Sequence, residues 1–214
     1  MIIINFKAYD AAVGENAEKI AGICSEVAEE TGKEIIVCPQ AEDLMRVNQE
    51  NLKLFSQHVN YQESGSHTGH TLVEGVKDAG ATGTLINHSE RRLEPEKIEK
   101  TVERAKEADM ETVVCAQNPD EVEEFSSYGP DYIAFEPPEL IGGDTAVSKA
   151  EPDLIEEAVE RTAEGVETLT GAGIKDTNDV EKSLELGCSG VLVASGVIKS
   201  EDPKESLEEL CRGL

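Results

Sequence analysis

Short β-branched apolar runs alternate along the chain with longer amphipathic stretches that are rich in acidic residues. A bounded apolar run of about 4–8 residues is typical of a buried strand, whereas an apolar period near 3.6 residues is typical of a surface helix. The pattern predicts strands at residues 2–6, 34–38, 53–57, 82–87, 112–115, 132–135, 165–170 and 190–194. It predicts helices near residues 15–31, 41–50, 71–79, 95–108, 118–126, 152–164, 176–186 and 203–212.

Eight strands, each followed by a helix, predict a parallel sheet that is covered by helices. The 214 residues fit one α/β domain, residues 1–214, folded as a closed (β/α)8 barrel near the small end of that fold's range of ~200–400 residues. An open doubly wound sheet is the alternative. Such sheets usually carry the phosphate loop G-x-G-x-x-G, but Asp176 stands where the third glycine after Gly171 and Gly173 would be. We therefore prefer the barrel.

Nothing in the sequence predicts a membrane or an exported location. No apolar run reaches the ~18 residues that a membrane span needs, and the apolar start meets Asn5 and Lys7 too soon for a signal peptide. Five scattered cysteines, an odd number without a C-x-x-C pair, favour reduced thiols over a disulfide framework. We expect a cytoplasmic protein without a membrane partner.

The charge is unusual, because 45 acidic residues face 19 lysines and arginines and give a net charge of −26. Small soluble domains usually carry a net charge of ~2–8 in magnitude. The acidic residues lie among periodic apolar positions, which excludes a disordered acidic tail, and they form no single block for a basic partner. Nucleic acid is an unfavourable partner for such a surface. Because a Debye length of ~3 Å at 1 M salt screens self-repulsion, we expect a halophilic protein.

Polar residues follow several predicted strands at the end where a parallel barrel carries its catalytic groups. Asn5 and Lys7 end the first strand on one face, His88 and Glu90 follow the fourth, and Glu136 follows the sixth. The seventh and eighth strands end in small residues, at 171–173 and 194–196. Each feature alone has an ordinary structural explanation. Together on one rim, they predict an active site.

With these motifs the sequence resembles the triosephosphate isomerase family in its short archaeal form. The matching segments are NFK (5–7), GSHTGH (65–70), NHSERR (87–92), EPPELIG (136–142), GAGI (171–174) and GVLVASG (190–196). They extend from residue 5 to residue 196, so the resemblance covers nearly the whole chain. It implies a TIM barrel that interconverts dihydroxyacetone phosphate and D-glyceraldehyde 3-phosphate, in glycolysis and gluconeogenesis, without metal or organic cofactor.

The resemblance also implies a role for each catalytic residue. Glu136 is the base that moves the proton between carbons through an enediolate. His88 polarises the substrate oxygens, as a neutral imidazole already known for this family. Lys7 supplies positive charge beside the oxyanion, and Asn5 is a neutral donor. Glu90 lies behind them and orders Lys7.

Phosphate binding is expected from backbone N–H groups at Gly142, Gly173, Ala194 and Ser195. Residues 137 to about 144 resemble the family's lid, whose closure excludes water. The better-known branch latches this lid with a tyrosine and a serine after the seventh strand, where this chain has TGAG at 170–173. How the lid is latched here stays open.

The third loop, roughly residues 58–70, is too long for a plain connector. The resemblance implies that His67 and Thr68 reach into a neighbouring subunit, near its Lys7. It implies a homodimer for the family and a homotetramer for the short archaeal members. His58, His67 and His70 could otherwise suggest a metal site, but we expect no metal.

Two rival functions stay open. One is another barrel enzyme that acts on a sugar phosphate, such as an epimerase or aldolase, and the other is a non-catalytic phosphate-binding barrel.

Overall fold

Eight parallel strands form one closed barrel in a computed structural model that describes residues 1–48, 51–138 and 147–214. The strands are β1 (Ile2–Asn5), β2 (Ile35–Cys38), β3 (Lys53–Ser56), β4 (Gly83–Ile86), β5 (Glu111–Ala116), β6 (Tyr132–Phe135), β7 (Glu167–Thr170) and β8 (Gly190–Val193). β1 closes the barrel by pairing on both sides, since Ile3 lies opposite Ile36 of β2 and Leu192 of β8. The predicted (β/α)8 barrel is confirmed.

Helices connect the strands on the outside of the barrel. They are α1 (Glu15–Thr31), α2 (Leu44–Val47), α3 (Val73–Asp78), α4 (Pro95–Glu107), α5 (Pro119–Ser126), α6 (Val147–Ala150), α7 (Pro152–Arg161), α8 (Thr177–Glu185), α9 (Ser195–Ile198) and α10 (Pro203–Arg212). Four of them begin with proline, which lacks the N–H that a first turn leaves unpaired. Within the described residues, no helix is long and apolar enough to cross a membrane.

Several predicted elements are shorter in the structure, and two of these differences have a visible cause. The predicted strand at 165–170 begins only at Glu167, because Gly165 has a φ of 85°, outside the range of strand backbone. The predicted helix at 41–50 begins as a 3₁₀ turn, Ala41–Asp43, followed by the short α2, and its residues 49–50 lie outside the described residues. There the Asp43 carboxylate accepts a hydrogen bond from the N–H of Gly14 at 2.8 Å, so a tertiary contact shapes this segment.

Side chains from all eight strands fill the barrel interior, which makes it a packed core. The inward apolar layer consists of Ile3, Ile36, Cys38, Phe55, Leu85, Val113, Cys115, Ala134, Leu169 and Leu192. Gly83 makes room for Phe55, because a Cβ at Gly83 would lie 2.4 Å from the ring. This apolar layer fills the middle of the barrel. The polar residues that follow the strands therefore lie at the carboxyl end of the barrel, above the apolar layer.

Individual cations bridge several carboxylates on the outer helices. Lys204 of α10 lies 2.7 Å from Glu26 and 3.1 Å from Glu30 of α1, and Arg161 of α7 lies 2.6 Å from Asp120 of α5. With so many more acidic than basic residues, each of these cations relieves repulsion between neighbouring acidic groups. All five cysteines are buried and unpaired, as predicted.

Candidate active site

The end of β1 holds Lys7 in a constrained backbone conformation. Lys7 has a φ of 49°, which is uncommon for a residue with a side chain. Its N–H donates to Oδ1 of Asn5 at 3.0 Å, and its carbonyl accepts from Nε2 of Gln57 at 2.9 Å. Gln57 also donates to the carbonyl of Cys38 at 2.9 Å, which ties the loop to β2. These bonds fix the point from which the lysine side chain extends.

The loop after β4 presents His88 through its neighbour Asn87. Asn87 is buried and has a φ of 64°, a conformation that asparagine tolerates better than most residues. Its Nδ2 donates to the carbonyl of Cys115 on β5 at 2.9 Å, and its Oδ1 accepts the N–H of Leu93 at 2.8 Å. Both ends of the loop that contains His88 are therefore anchored to the barrel.

A single hydrogen bond decides the tautomer of His88. The N–H of Glu90 donates to Nδ1 of His88 at 3.2 Å, so Nδ1 is an acceptor and carries no proton. The proton of a neutral ring is then on Nε2. Nε2 lies 3.7 Å from Oε2 of Glu136, so the donor of the imidazole is directed towards the carboxylate and the space around it.

Glu136 immediately follows β6, and only 5% of its surface is exposed. The 3.7 Å separation from His88 is too long for a hydrogen bond, and Oε2 has no hydrogen-bond partner within the described part of the chain. The thiol of Cys115 lies beside this carboxylate. Burial raises the pKa of Cys115 well above its usual range, and Glu136 adds to this effect, so the thiol stays neutral. The carboxylate is left with an oxygen available to accept a proton.

Glu90 contacts both Lys7 and His88, and its Oε2 lies 3.7 Å from Nδ1 of His88. Its Oε1 lies 3.0 Å from Nζ of Lys7, and its backbone N–H holds the ring of His88. The Lys7 side chain is largely buried, at 11% exposed, while the Glu90 carboxylate is 60% exposed. Glu90 thus contacts both the ammonium group of Lys7 and the imidazole of His88.

The predicted catalytic residues and most of the predicted phosphate-binding residues line one cavity. The cavity is bounded by Asn5, Lys7, Tyr9, His88, Glu136, Ala172, Gly173, Ile174, Lys175, Leu192, Val193, Ala194, Ser195 and Gly196. Gly142, and with it most of the predicted lid, lies outside the described residues. The structure therefore brings together seven of the eight residues predicted to act on or bind the substrate.

Comparison with known proteins agrees with this geometry. The family model described as triosephosphate isomerase matches residues 1–213. This chain belongs to the triosephosphate isomerase family. Curated relatives named triosephosphate isomerase include those of Methanosarcina acetivorans, 46% identical over 99% of this chain and 97% of the relative, and Methanocaldococcus jannaschii, 44% identical over 99% of both. The relative from Methanothermus fervidus is 46% identical over 98% of this chain and 96% of its own length.

Membership of the triosephosphate isomerase family makes the chain an isomerase, as the motifs predicted. The predicted resemblance to this family is confirmed over the full length, well beyond the six motifs.

Two residues that line this cavity were missed by the sequence reasoning. Tyr9 lines the cavity from the loop after β1, and Nζ of Lys199 lies 4.2 Å from the centre of its ring. Lys175 lines the cavity from the loop after β7. Lys175 could have been predicted from its place in the loop that follows a strand, two residues after Gly173. No sequence signal marked Tyr9, because its position depends on a contact with a residue 190 positions away.

None of the three histidines at 58–70 lines this cavity. The rings of His67 and His70 have centroids 5.5 Å apart, and both residues are exposed, whereas His58 is buried at 8% exposed. In the described parts of the chain, no group of three histidine, cysteine, aspartate or glutamate residues could hold a metal ion.

Proposed function

We propose that this chain interconverts dihydroxyacetone phosphate and D-glyceraldehyde 3-phosphate by moving a proton between C1 and C2. The proposal rests on one observation. Glu136, His88 and Lys7 line the same cavity, and each follows a different strand. The full-length relatives named triosephosphate isomerase support the choice of substrate.

Glu136 is the proposed base. Its unpartnered Oε2 takes a proton from C1 of dihydroxyacetone phosphate, and the electrons of that C–H bond form a C1–C2 double bond. The carbonyl oxygen on C2 then carries the negative charge of the enediolate. The hydroxyl proton on the C1 oxygen then passes to the C2 oxygen, and protonated Glu136 returns its proton to C2, which gives the aldehyde at C1 and a hydroxyl at C2. One carboxylate serves both carbons because they are adjacent.

His88 is proposed to donate a hydrogen bond from Nε2 to the substrate oxygens. The proton is on this nitrogen because Nδ1 accepts from the N–H of Glu90. A neutral imidazole is the form known for this family. A neutral donor can move its proton between the two oxygens of the enediol as the charge moves.

Lys7 and Asn5 are proposed to stabilise the negative charge of the enediolate. The Lys7 ammonium is largely buried, where its attraction for a nearby oxyanion is screened less than in water. The amide of Asn5 uses Oδ1 to hold the Lys7 backbone, which leaves its nitrogen side to donate towards the cavity. Glu90 acts behind them by orienting Lys7.

The phosphate is proposed to bind the backbone N–H groups of Gly142, Gly173, Ala194 and Ser195. Gly173 lines the cavity and has a φ of 74°, a conformation that glycine adopts at little cost. Ser195 begins α9, and the first N–H groups of a helix have no partner within the helix. Such groups bind anions without a charged side chain.

A coupled assay with glyceraldehyde 3-phosphate, with EDTA present, tests this function. The intact chain should turn the substrate over at an undiminished rate in EDTA. Glu136→Asp retracts the carboxylate by about one C–C bond of ~1.5 Å, and such a misplacement costs about 100-fold or more in rate. His88→Gln should also lower kcat by orders of magnitude. Near-normal turnover in either folded variant would refute the assigned roles.

We also propose that the chain assembles as a homodimer and further as a homotetramer. A second cavity of about 170 Å³ lies next to the first and is lined in part by Lys7, His58 and Arg91. Nε2 of His58 is buried there without a hydrogen-bond partner in the described chain, while His67 and Thr68 of the third loop are exposed. A neighbouring copy's third loop would fill this cavity. Sedimentation as a 23.1 kDa monomer would contradict the proposal.

The cellular setting follows as a further part of this proposal, namely glycolysis and gluconeogenesis in the cytoplasm of a cell with concentrated internal salt. The net charge of −26 supports high salt, although the relatives come from methanogens and give no support for a halophile. Thermal unfolding measured from dilute buffer to molar KCl tests this part. Stability that falls as KCl rises would refute salt adaptation.

A further inference from the structure

Gly171 lies directly against the proposed catalytic base. It follows β7, and its N–H donates at 3.0 Å to the carbonyl of Phe135, the last residue of β6, which places it beside Glu136. A Cβ built on Gly171 would lie 2.5 Å from Oε1 of Glu136, 2.6 Å from Cγ and 2.8 Å from Cδ. The carboxylate therefore occupies the space that any side chain at position 171 would need.

We infer that Gly171 is a positioning residue whose missing side chain sets where the Glu136 carboxylate stands, an inference that rests on the proposed function. The backbone itself does not require glycine here. Gly171 is absent from the residues with positive φ, whereas Gly173, two residues later, has a φ of 74°. A left-handed backbone is therefore not what calls for glycine here, and contact with Glu136 is the reason that position 171 must stay small.

The required displacement can be worked out from these distances. An ordinary contact between a methyl carbon and a carboxylate is about 3.5 Å, so a methyl group at 171 needs about 1 Å more room than the present 2.5 Å. On its other sides the carboxylate meets His88, 3.7 Å away, and the buried thiol of Cys115. A shift of about 1 Å changes the distance to the reacting carbons, and a misplacement of that size costs about 100-fold in rate.

Gly171→Ala is the direct test. The inference predicts that kcat for glyceraldehyde 3-phosphate falls about 100-fold, whereas KM and the inhibition constant for inorganic phosphate change less than about threefold. Phosphate binding should persist because it uses other groups of the cavity. An unchanged kcat in the folded variant would overturn the inference, and so would a loss confined to KM.

Gly83→Ala is the matched control for crowding alone. Its Cβ would lie 2.4 Å from the ring of Phe55, also inside the barrel but away from Glu136. We expect Gly83→Ala to lower the unfolding temperature with kcat per folded molecule close to that of the parent. If Gly83→Ala loses kcat as severely as Gly171→Ala, general crowding explains both and the inference fails.

The double variant Gly171→Ala/Glu136→Asp separates positioning from structural damage. Aspartate draws the carboxylate back from the methyl group, so the two changes should be strongly non-additive, with the double variant no slower than Glu136→Asp alone. If Gly171→Ala by itself does not fold, the double variant should restore folding, and an unfolded double variant contradicts the inference. Parent protein that is inactive on triose phosphates refutes the proposed function, whereas active parent with an unaffected Gly171→Ala refutes only the inference.

Discussion

Replacing Asn87 by alanine should damage stability and catalysis together, because this buried side chain anchors the loop that presents His88. Its two hydrogen bonds, to the carbonyl of Cys115 at 2.9 Å and from the N–H of Leu93 at 2.8 Å, would both be lost. Two lost bonds and the buried backbone groups left without partners cost about 2–3 kcal/mol. The φ of 64° adds about 1 kcal/mol, because alanine fits this conformation poorly.

The expected total for Asn87→Ala, about 3–4 kcal/mol, corresponds to a fall in Tm of roughly 6–16 °C at about 2–4 °C per kcal/mol. Thermal unfolding followed by circular dichroism measures it, and kcat should fall with it because His88 is adjacent. Asn87→Gly is the control, since it loses the same bonds without the backbone strain and should be less destabilised by about 1 kcal/mol. A loss below about 1 kcal/mol in Asn87→Ala would refute this reasoning.

Three further predictions concern other parts of the barrel. Ala172 has a φ of 74°, so Ala172→Gly should relieve strain and raise Tm by about 2 °C, and a lower Tm would contradict this. Lys204→Met removes the cation between Glu26 and Glu30, so Tm should fall in dilute buffer and much less in molar KCl; an equal fall at both salt concentrations would count against the electrostatic cause. Burial, with help from Arg91, lowers the pKa of His58 to about 4, below its unfolded value of about 6.5, so unfolded chains take up the proton first. Stability should therefore fall as the pH drops from 6.5 towards 4, and His58→Asn should flatten that decline in unfolding titrations.

Much of the fold could be predicted from the sequence, because strand and helix periods are local properties. The apolar runs placed β6 at residues 132–135, as the structure has it, and α1 at 15–31. The site residues followed from one topological fact, that a closed parallel barrel brings the carboxyl ends of all its strands to the same rim. Asn5, Lys7, His88 and Glu136 were predicted in that way, and they line one cavity.

The features of the site that could not be predicted depend on contacts between strands or within a loop. The crowding of Gly171 against Glu136 arises from the register of β6 and β7, and the thiol of Cys115 reaches the same carboxylate from β5. The tautomer of His88 depends on one backbone hydrogen bond inside its loop. Neither kind of contact leaves a periodic signal, so both require coordinates.

Isomerisation in heavy water, followed by proton NMR with EDTA present, measures the proposed proton transfer most directly. If Glu136 moves the proton and exchanges it with solvent, glyceraldehyde 3-phosphate formed from dihydroxyacetone phosphate should carry deuterium at C2, and Glu136→Gln should abolish this incorporation in a folded protein. Product without carbon-bound deuterium, or full incorporation by Glu136→Gln, would contradict the account.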